Sequence, residues 1–182
     1  MNCILLYIYS YSFSGRPRPG LRGNAEMTVK EAVCRRATAD DVEDLHRLIE
    51  SYAVQGIMLP RSREALARQI DSFVVAEIDG DIVGCGSLFQ LGPELVEIRS
   101  LGMKEGYKGC GIGTKLVDLL VEEARSRGIP RVMALTYAVD FFRKNGFEVV
   151  DKEIFPEKVW TDCVSCPKRH ACDEIAVLKV LN

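Results

Sequence analysis

The chain has 182 residues, 47% of them apolar and 27% charged, and a net charge of −2 from 24 basic and 26 acidic residues. That balance excludes a disordered or collagenous chain and lacks the basic excess that marks a nucleic-acid partner. No apolar run approaches the roughly 20 residues of a membrane-spanning helix, and seven cysteines without a secretory signal point to reduced thiols in a cytoplasmic protein.

Residues 1–26 read apart from the rest. Their apolar piece, Cys3 to Tyr9, is short, and Arg16-Pro17-Arg18-Pro19-Gly20 breaks regular structure. A flexible extension is expected there, and a single domain over residues 27–182. A first strand is expected near residues 32–36. Thr38-Ala39-Asp40-Asp41 is an N-cap signature. Val42, Leu45, Leu48 and Ile49 follow at helical spacing, so residues 39–54 read as an amphipathic helix ended by Gly56 and Pro60. Ser62 caps a second helix, with Leu66 and Ile70 on its apolar face. Residues 73–78 and 82–89 flank Asp79-Gly80 as a hairpin, and Gly92-Pro93 turns the chain into a strand at 95–103.

Residues 104–113 are glycine-rich, and 114–128 form a strong amphipathic helix carrying Leu116, Val117, Leu119, Leu120, Val121 and Ala124. A strand at 131–136, a short helix at 138–145 closed by Gly146, and strands at 147–155 and 175–181 complete the order. The strands on either side of the long helix are expected to be parallel neighbours, and the hairpins antiparallel. The fold class is α/β (α+β): a mixed sheet covered by helices.

Lys108-Gly109-Cys110-Gly111-Ile112-Gly113-Thr114 joins a strand to that long helix. A helix N-terminus presents unpaired amides and partial positive charge, and glycines let a bulky anion approach. A phosphate or pyrophosphate suits it, with charge from Lys108 and a hydroxyl from Thr114; a connector without a ligand is the alternative. The loop lacks the Gly-Lys-Ser/Thr ending of a phosphate-binding P-loop, and it follows antiparallel-type strands, unlike a dinucleotide fold.

Motif and element order together resemble the GNAT superfamily of N-acetyltransferases. The family signature is Gln/Arg-x-x-Gly-x-Gly/Ala, which residues 108–113 match with Lys108 in the first place. The resemblance covers about residues 29–182 and implies a central sheet of about six or seven strands flanked by about four helices. Met58-Leu59-Pro60-Arg61-Ser62, Glu97-Ile98-Arg99-Ser100-Leu101, Thr136-Tyr137, Phe141 to Phe147, and Lys158-Val159-Trp160-Thr161-Asp162-Cys163 are similar to short amino-acid N-acetyltransferases related to the N-acetylglutamate synthase acetyltransferase domain.

By this resemblance the donor is acetyl-CoA. Its pyrophosphate would lie on the amides of Gly109, Cys110, Gly111, Ile112, Gly113 and Thr114, and its pantetheine arm along the backbone of Leu101 and Met103. An amide near Leu101 would face the acetyl carbonyl. Glu97 is the candidate base for the attacking ammonium, although Arg99, two positions on and on the same face, could simply pair with it. Many family members place a tyrosine as acid in the helix occupied here by Phe141-Phe142, which leaves Tyr137, at the end of a strand, as the candidate. Arg99 and Arg61 are the candidates for an acceptor carboxylate.

Cys163, Cys166, His170 and Cys172 could hold zinc, but all four come from one short stretch, and simple reduced packing is the preferred reading, with zinc or a redox-labile pair as the alternatives. The leading expectation is an acetyl-CoA-dependent enzyme acting by direct attack on a small amino acid, glutamate or a relative. Another small amine, a protein N-terminus, or a non-catalytic acyl-CoA or metal sensor are the alternatives. A small-molecule partner, no nucleic acid, no membrane and, by analogy, a homodimer through the last strands are expected.

Overall fold

The computed structural model describes residues 31–161, 166 and 171–181. Asp79 and Gly80, at φ +55° and +86°, close a tight hairpin between β2 (Phe73–Ile78) and β3 (Asp81–Gly92). β4 (Leu95–Met103) then folds back antiparallel on β3. β1 (Val33–Arg36) borders β2. After α3 (Ile112–Ser126) the chain adds β5 (Arg131–Thr136), parallel to β4 as expected for a strand–helix–strand crossover. α4 (Val139–Lys144), β6 (Glu148–Val150), α5 (Pro156–Thr161) and β7 (Ile175–Val180) follow. The sheet order is β1-β2-β3-β4-β5-β7-β6, seven strands, antiparallel apart from the β4–β5 pair.

α3 and α4 cover one face. Ile112, Leu116, Val117, Leu120, Val121 and Ala124 pack on Val83, Val96, Ile98, Val132 and Val177, as the helical spacing predicts. α1 (Val42–Ala53) and α2 (Arg63–Arg68) cover the opposite face through Leu45, Leu48, Ile49 and Leu66 on Phe73, Val75 and Cys85. A smaller apolar cluster of Leu95, Met133, Phe155 and Ala176 lies farther along. Val96 and Ile98 face α3, so strand alternation puts Leu95 on the α1 side, together with Glu97 and Arg99. Those two residues therefore stand between two apolar clusters.

Several boundaries differ from the sequence reading. Ala39–Asp41 form a 3-10 turn, and α1 begins at Val42. The Asp41 carboxylate accepts from the Thr38 amide at 2.8 Å and hydroxyl at 3.2 Å. α3 begins two residues early, at Ile112, because Gly111 can supply the left-handed entry. The strand expected over 147–155 stops at Val150 and a 3-10 turn (Lys152–Ile154) takes up most of the rest; α5 follows beyond it, giving five α-helices among the described residues. Pro156 opens α5, where its missing N–H costs nothing. β6 lies at the sheet edge, so three residues suffice. The last strand ends at Val180.

Arg35 ties β1 to the start of α1. Its guanidinium donates to both Asp41 oxygens, at 2.7 and 2.9 Å, and to Glu77 at 2.8 Å. The hydrogen bond from Arg35 holds the buried Asp41 carboxyl below the usual carboxylate range. A carboxyl lowered on folding stabilises the protein above its unfolded pKa, and that contribution disappears as pH falls through the folded value. Asp41→Asn is therefore expected to lower the melting temperature at pH 7 and to flatten its fall between about pH 5 and pH 2. Thermal unfolding at several pH values measures both.

Candidate active site

The site forms where β4 leaves its neighbours. Ser87 pairs with Arg99 and Cys85 with Gly102, so three steps on β4 oppose two on β3. The extra residue is a β-bulge centred on Ser100, whose φ is +51°. The bulge reverses the alternation. Beyond it Gly102 faces Tyr52 and Met58, while Leu101 and Met103 turn toward α3. Ser87 Oγ donates to the Arg99 carbonyl at 3.2 Å, and Cys85 Sγ to the Ser100 carbonyl at 3.3 Å. Burial pushes the Cys85 thiol up to about 12, so it remains a neutral donor. The ladder with β5 ends at Glu97↔Met133. Residues 98–103 of β4 and 134–136 of β5 thus border a gap between strands.

At the end of β4, the Tyr52 hydroxyl donates to the Met103 carbonyl at 2.6 Å and accepts from the Met103 amide at 3.0 Å. The Lys108 ammonium lies 5.4 Å from the centre of the Tyr52 ring. Tyr52→Phe releases the Met103 backbone. Losing hydrogen bonds worth about 1 kcal/mol is expected to lower the midpoint of urea unfolding, followed by circular dichroism.

The glycine-rich loop fits a bulky anion. Gly109 and Gly111 have φ +82° and +79°, and a Cβ on either would meet no heavy atom within 4 Å. Left-handed backbone and open space together leave the first-turn amides of α3 approachable. Lys108, Cys110 and Thr114 are exposed beside them, and Ile112 is buried as the first core residue of α3. Gly113 has a different duty: its missing Cβ makes room for Phe141, whose ring would lie 3.1 Å away. Phe142 packs edge-on against Phe147, with ring centres 5.1 Å apart, so this phenylalanine pair builds core.

Glu97 is 3% exposed. The Arg99 Nε donates to its Oε2 at 2.5 Å, and the Lys158 Nζ lies 2.8 Å from Oε1 and 2.9 Å from Oε2. The Arg99 guanidinium is stacked 3.7 Å above the centre of the Phe89 ring. Nearby Glu174 is half-buried. Burial raises its pKa, with a further rise from the Glu97 charge, against lowering by Lys158, the Cys172 thiol and Lys152. The Tyr137 hydroxyl, at the end of β5, donates to Asp173 at 2.7 Å. Arg61 lies in the α1–α2 connection and donates to Gln69 at 3.3 Å.

Of the residues singled out in the sequence, Glu97 and Arg99 meet directly. Leu101 and Met103 border the strand gap, and residues 108–114 form the helix entry. Lys158, Tyr52 and Glu174 went unread as site residues. Lys158 stood in a quoted motif, but nothing local announced α5 or its contact with β4. Cys166 and Cys172 carry free thiols. Cys163 and His170 lie outside the described residues, and among the described residues no group of three His, Cys, Asp or Glu could hold a metal. No described helix is long and apolar enough to cross a membrane.

The Acetyltransferase (GNAT) family profile matches residues 39–147. An uncharacterized N-acetyltransferase of Chlorobaculum tepidum is 39% identical over 155 residues, 85% of this chain and 100% of that protein. An amino-acid acetyltransferase of Mycobacterium tuberculosis is 35% identical over 133 residues, 69% of this chain and 76% of that protein. Among solved structures, N-acetylglutamate synthase of Neisseria gonorrhoeae, complexed with coenzyme A and N-acetyl-glutamate, superposes with a TM-score of 0.75 at 28% identity. That match covers 84% of this chain but 35% of the gonococcal one. A Mycobacterium tuberculosis protein in complex with CoA gives a TM-score of 0.73 at 31% identity, over 82% of this chain and 99% of that one. A glycine-opened helix beside a split pair of parallel strands, a matching profile and these relatives lead to one conclusion: the chain belongs to the GNAT family and is an N-acetyltransferase that uses acetyl-CoA.

Proposed function

We propose that the acceptor is the α-amino group of a small amino acid, glutamate first among them, which would place the enzyme at the first step of arginine biosynthesis in the cytoplasm. The observation that carries this reading is the buried Glu97 carboxylate held between Arg99 and Lys158 beside the strand gap. A carboxylate among cations at the fork of β4 and β5 offers both a proton acceptor and charges that recognise an amino-acid carboxylate. Relatives named amino-acid acetyltransferase, and a neighbour holding N-acetyl-glutamate, support the same class.

Acetyl-CoA supplies the activated acetyl thioester. The amides at the start of α3, with Lys108 and Thr114, would hold its pyrophosphate, and the backbone of Leu101 and Met103 its pantetheine arm. Glu97 would take the ammonium proton of the acceptor, directly or through water. The neutral amine would then attack in a ternary complex, with no residue carrying the acetyl group. Tyr137 would return a proton to the leaving thiolate, and Arg99 and Arg61 would take the acceptor carboxylate.

Release of CoA from acetyl-CoA, measured across glutamate, glutamine, aspartate and simple amines, tests the reading. Saturable turnover with glutamate, with a raised KM for glutamate in Arg99→Ala, is the expected result. Turnover only with a carboxylate-free amine or a peptide N-terminus would replace the acceptor.

A further inference from the structure

We infer that Lys158 is a positioning residue for the base: it orients the Glu97 carboxylate so that one oxygen, Oε1, stays open to accept from the incoming amine or a bridging water. This rests on the reading of Glu97 as the base.

A carboxylate offers about four acceptor directions, two on each oxygen. Arg99 and Lys158 both donate to Oε2, which fills it, while the Lys158 ammonium lies 2.8 Å from Oε1 as an ion-pair contact. The acceptor directions that remain therefore belong to Oε1. With Arg99 alone, the carboxylate could still turn about its broad terminal torsion. Lys158 straddles both oxygens and removes that freedom. Its ammonium also offsets the cost of keeping the carboxylate charged in a buried place.

Both partners are themselves held. Phe89 backs the Arg99 guanidinium at 3.7 Å. Lys158 rides on α5, whose entry is anchored by Phe155, 1% exposed, in the cluster with Leu95, Met133 and Ala176. The Lys158 amide donates to the Phe155 carbonyl at 3.1 Å, which fixes the turn carrying the side chain. Leu95 in that cluster and Glu97 belong to the same strand and face it from the same side. Anchor, cation and base thus form one unit.

The test is a double-mutant cycle on the full chain, read in both turnover and thermal unfolding: Lys158→Met, Lys158→Arg, Glu97→Gln, and the double variant Glu97→Gln/Lys158→Met. Lys158→Met is expected to lower kcat about 10- to 100-fold, with the KM for acetyl-CoA within about twofold of native. Lys158→Arg should recover much of that loss. The double variant should be no slower than Glu97→Gln, and its melting temperature should fall by less than the two single falls combined. Where Lys158→Met fails to fold, Lys158→Gln carries the same comparison. Native kcat in Lys158→Met, kcat losses that multiply in the double variant, or additive melting shifts would each overturn the inference while leaving the base reading intact. Acetyl-CoA binding by the native chain without turnover of any acceptor would overturn the base reading itself, and the role of Lys158 with it.

Discussion

Glu97→Gln is expected to lower kcat by roughly 10²- to 10⁴-fold while acetyl-CoA binding changes little. The substitution is nearly isosteric, so the packing around the fork of β4 and β5 survives. An amide cannot take the proton of the acceptor ammonium. It also brings its own donor toward the Arg99 Nε and the Lys158 ammonium, which are within 2.9 Å of the native carboxylate. The side chains of those cations are 8% and 12% exposed, so losing the Glu97 charge takes one partner from each of two nearly buried cations and lowers stability as well. The turnover comparison therefore belongs well below the melting temperature of the variant. Isothermal titration with acetyl-CoA then separates the two effects. Intact binding with lost turnover supports the base. Intact binding with native turnover would reduce the Glu97 cluster to an architectural ion pair.

Gly111→Val is expected to weaken acetyl-CoA binding at least about tenfold, a cost near 1.4 kcal/mol. Gly111 sits at φ +79° as the residue that caps α3. A β-branched residue is a genuine outlier in that conformation. Nothing lies within 4 Å of where its Cβ would be, so the cost is one of backbone conformation and not of collision. The variant can relieve it by turning the peptide, but that moves the amides of Ile112 and Gly113 away from their common direction. Binding should suffer more than stability, because the core face of α3 starts at Ile112 and remains packed. Gly113→Ala is the contrasting variant: its new Cβ would press on Phe141 at 3.1 Å, so packing decides its effect. Titration with acetyl-CoA, beside thermal unfolding of each variant, checks this. Unchanged affinity in Gly111→Val would mean that the glycine only shapes the start of the helix.

Local pattern made much of this molecule legible. The spacing of Leu116, Leu120 and Ala124 encodes α3, and Asp79-Gly80 encodes the hairpin, because helix period and turn conformation depend on near neighbours. Lys108 to Thr114 announced a ligand-binding entry for the same reason: the chemistry of a helix N-terminus is a property of adjacent amides. The pairing of Glu97 with Arg99 followed from alternation along one strand. α5 spans only six residues, too few for a helical period to show, and the burial of Phe155 against Leu95 and Met133 is what seats its entry.

The sequence by itself determined the family, the order of elements, the glycine-rich entry and the two charged residues of β4 that share a face. Tertiary structure alone decided what surrounds them. Tyr52 reaches Met103 across 51 positions, and Lys158 reaches Glu97 across 61. The bulge at Ser100 exists only relative to β3, and the fork only where the β4–β5 ladder stops. These are relations between distant segments, set by sheet order and by the burial of separate apolar clusters. Near-neighbour periodicity carries no record of them.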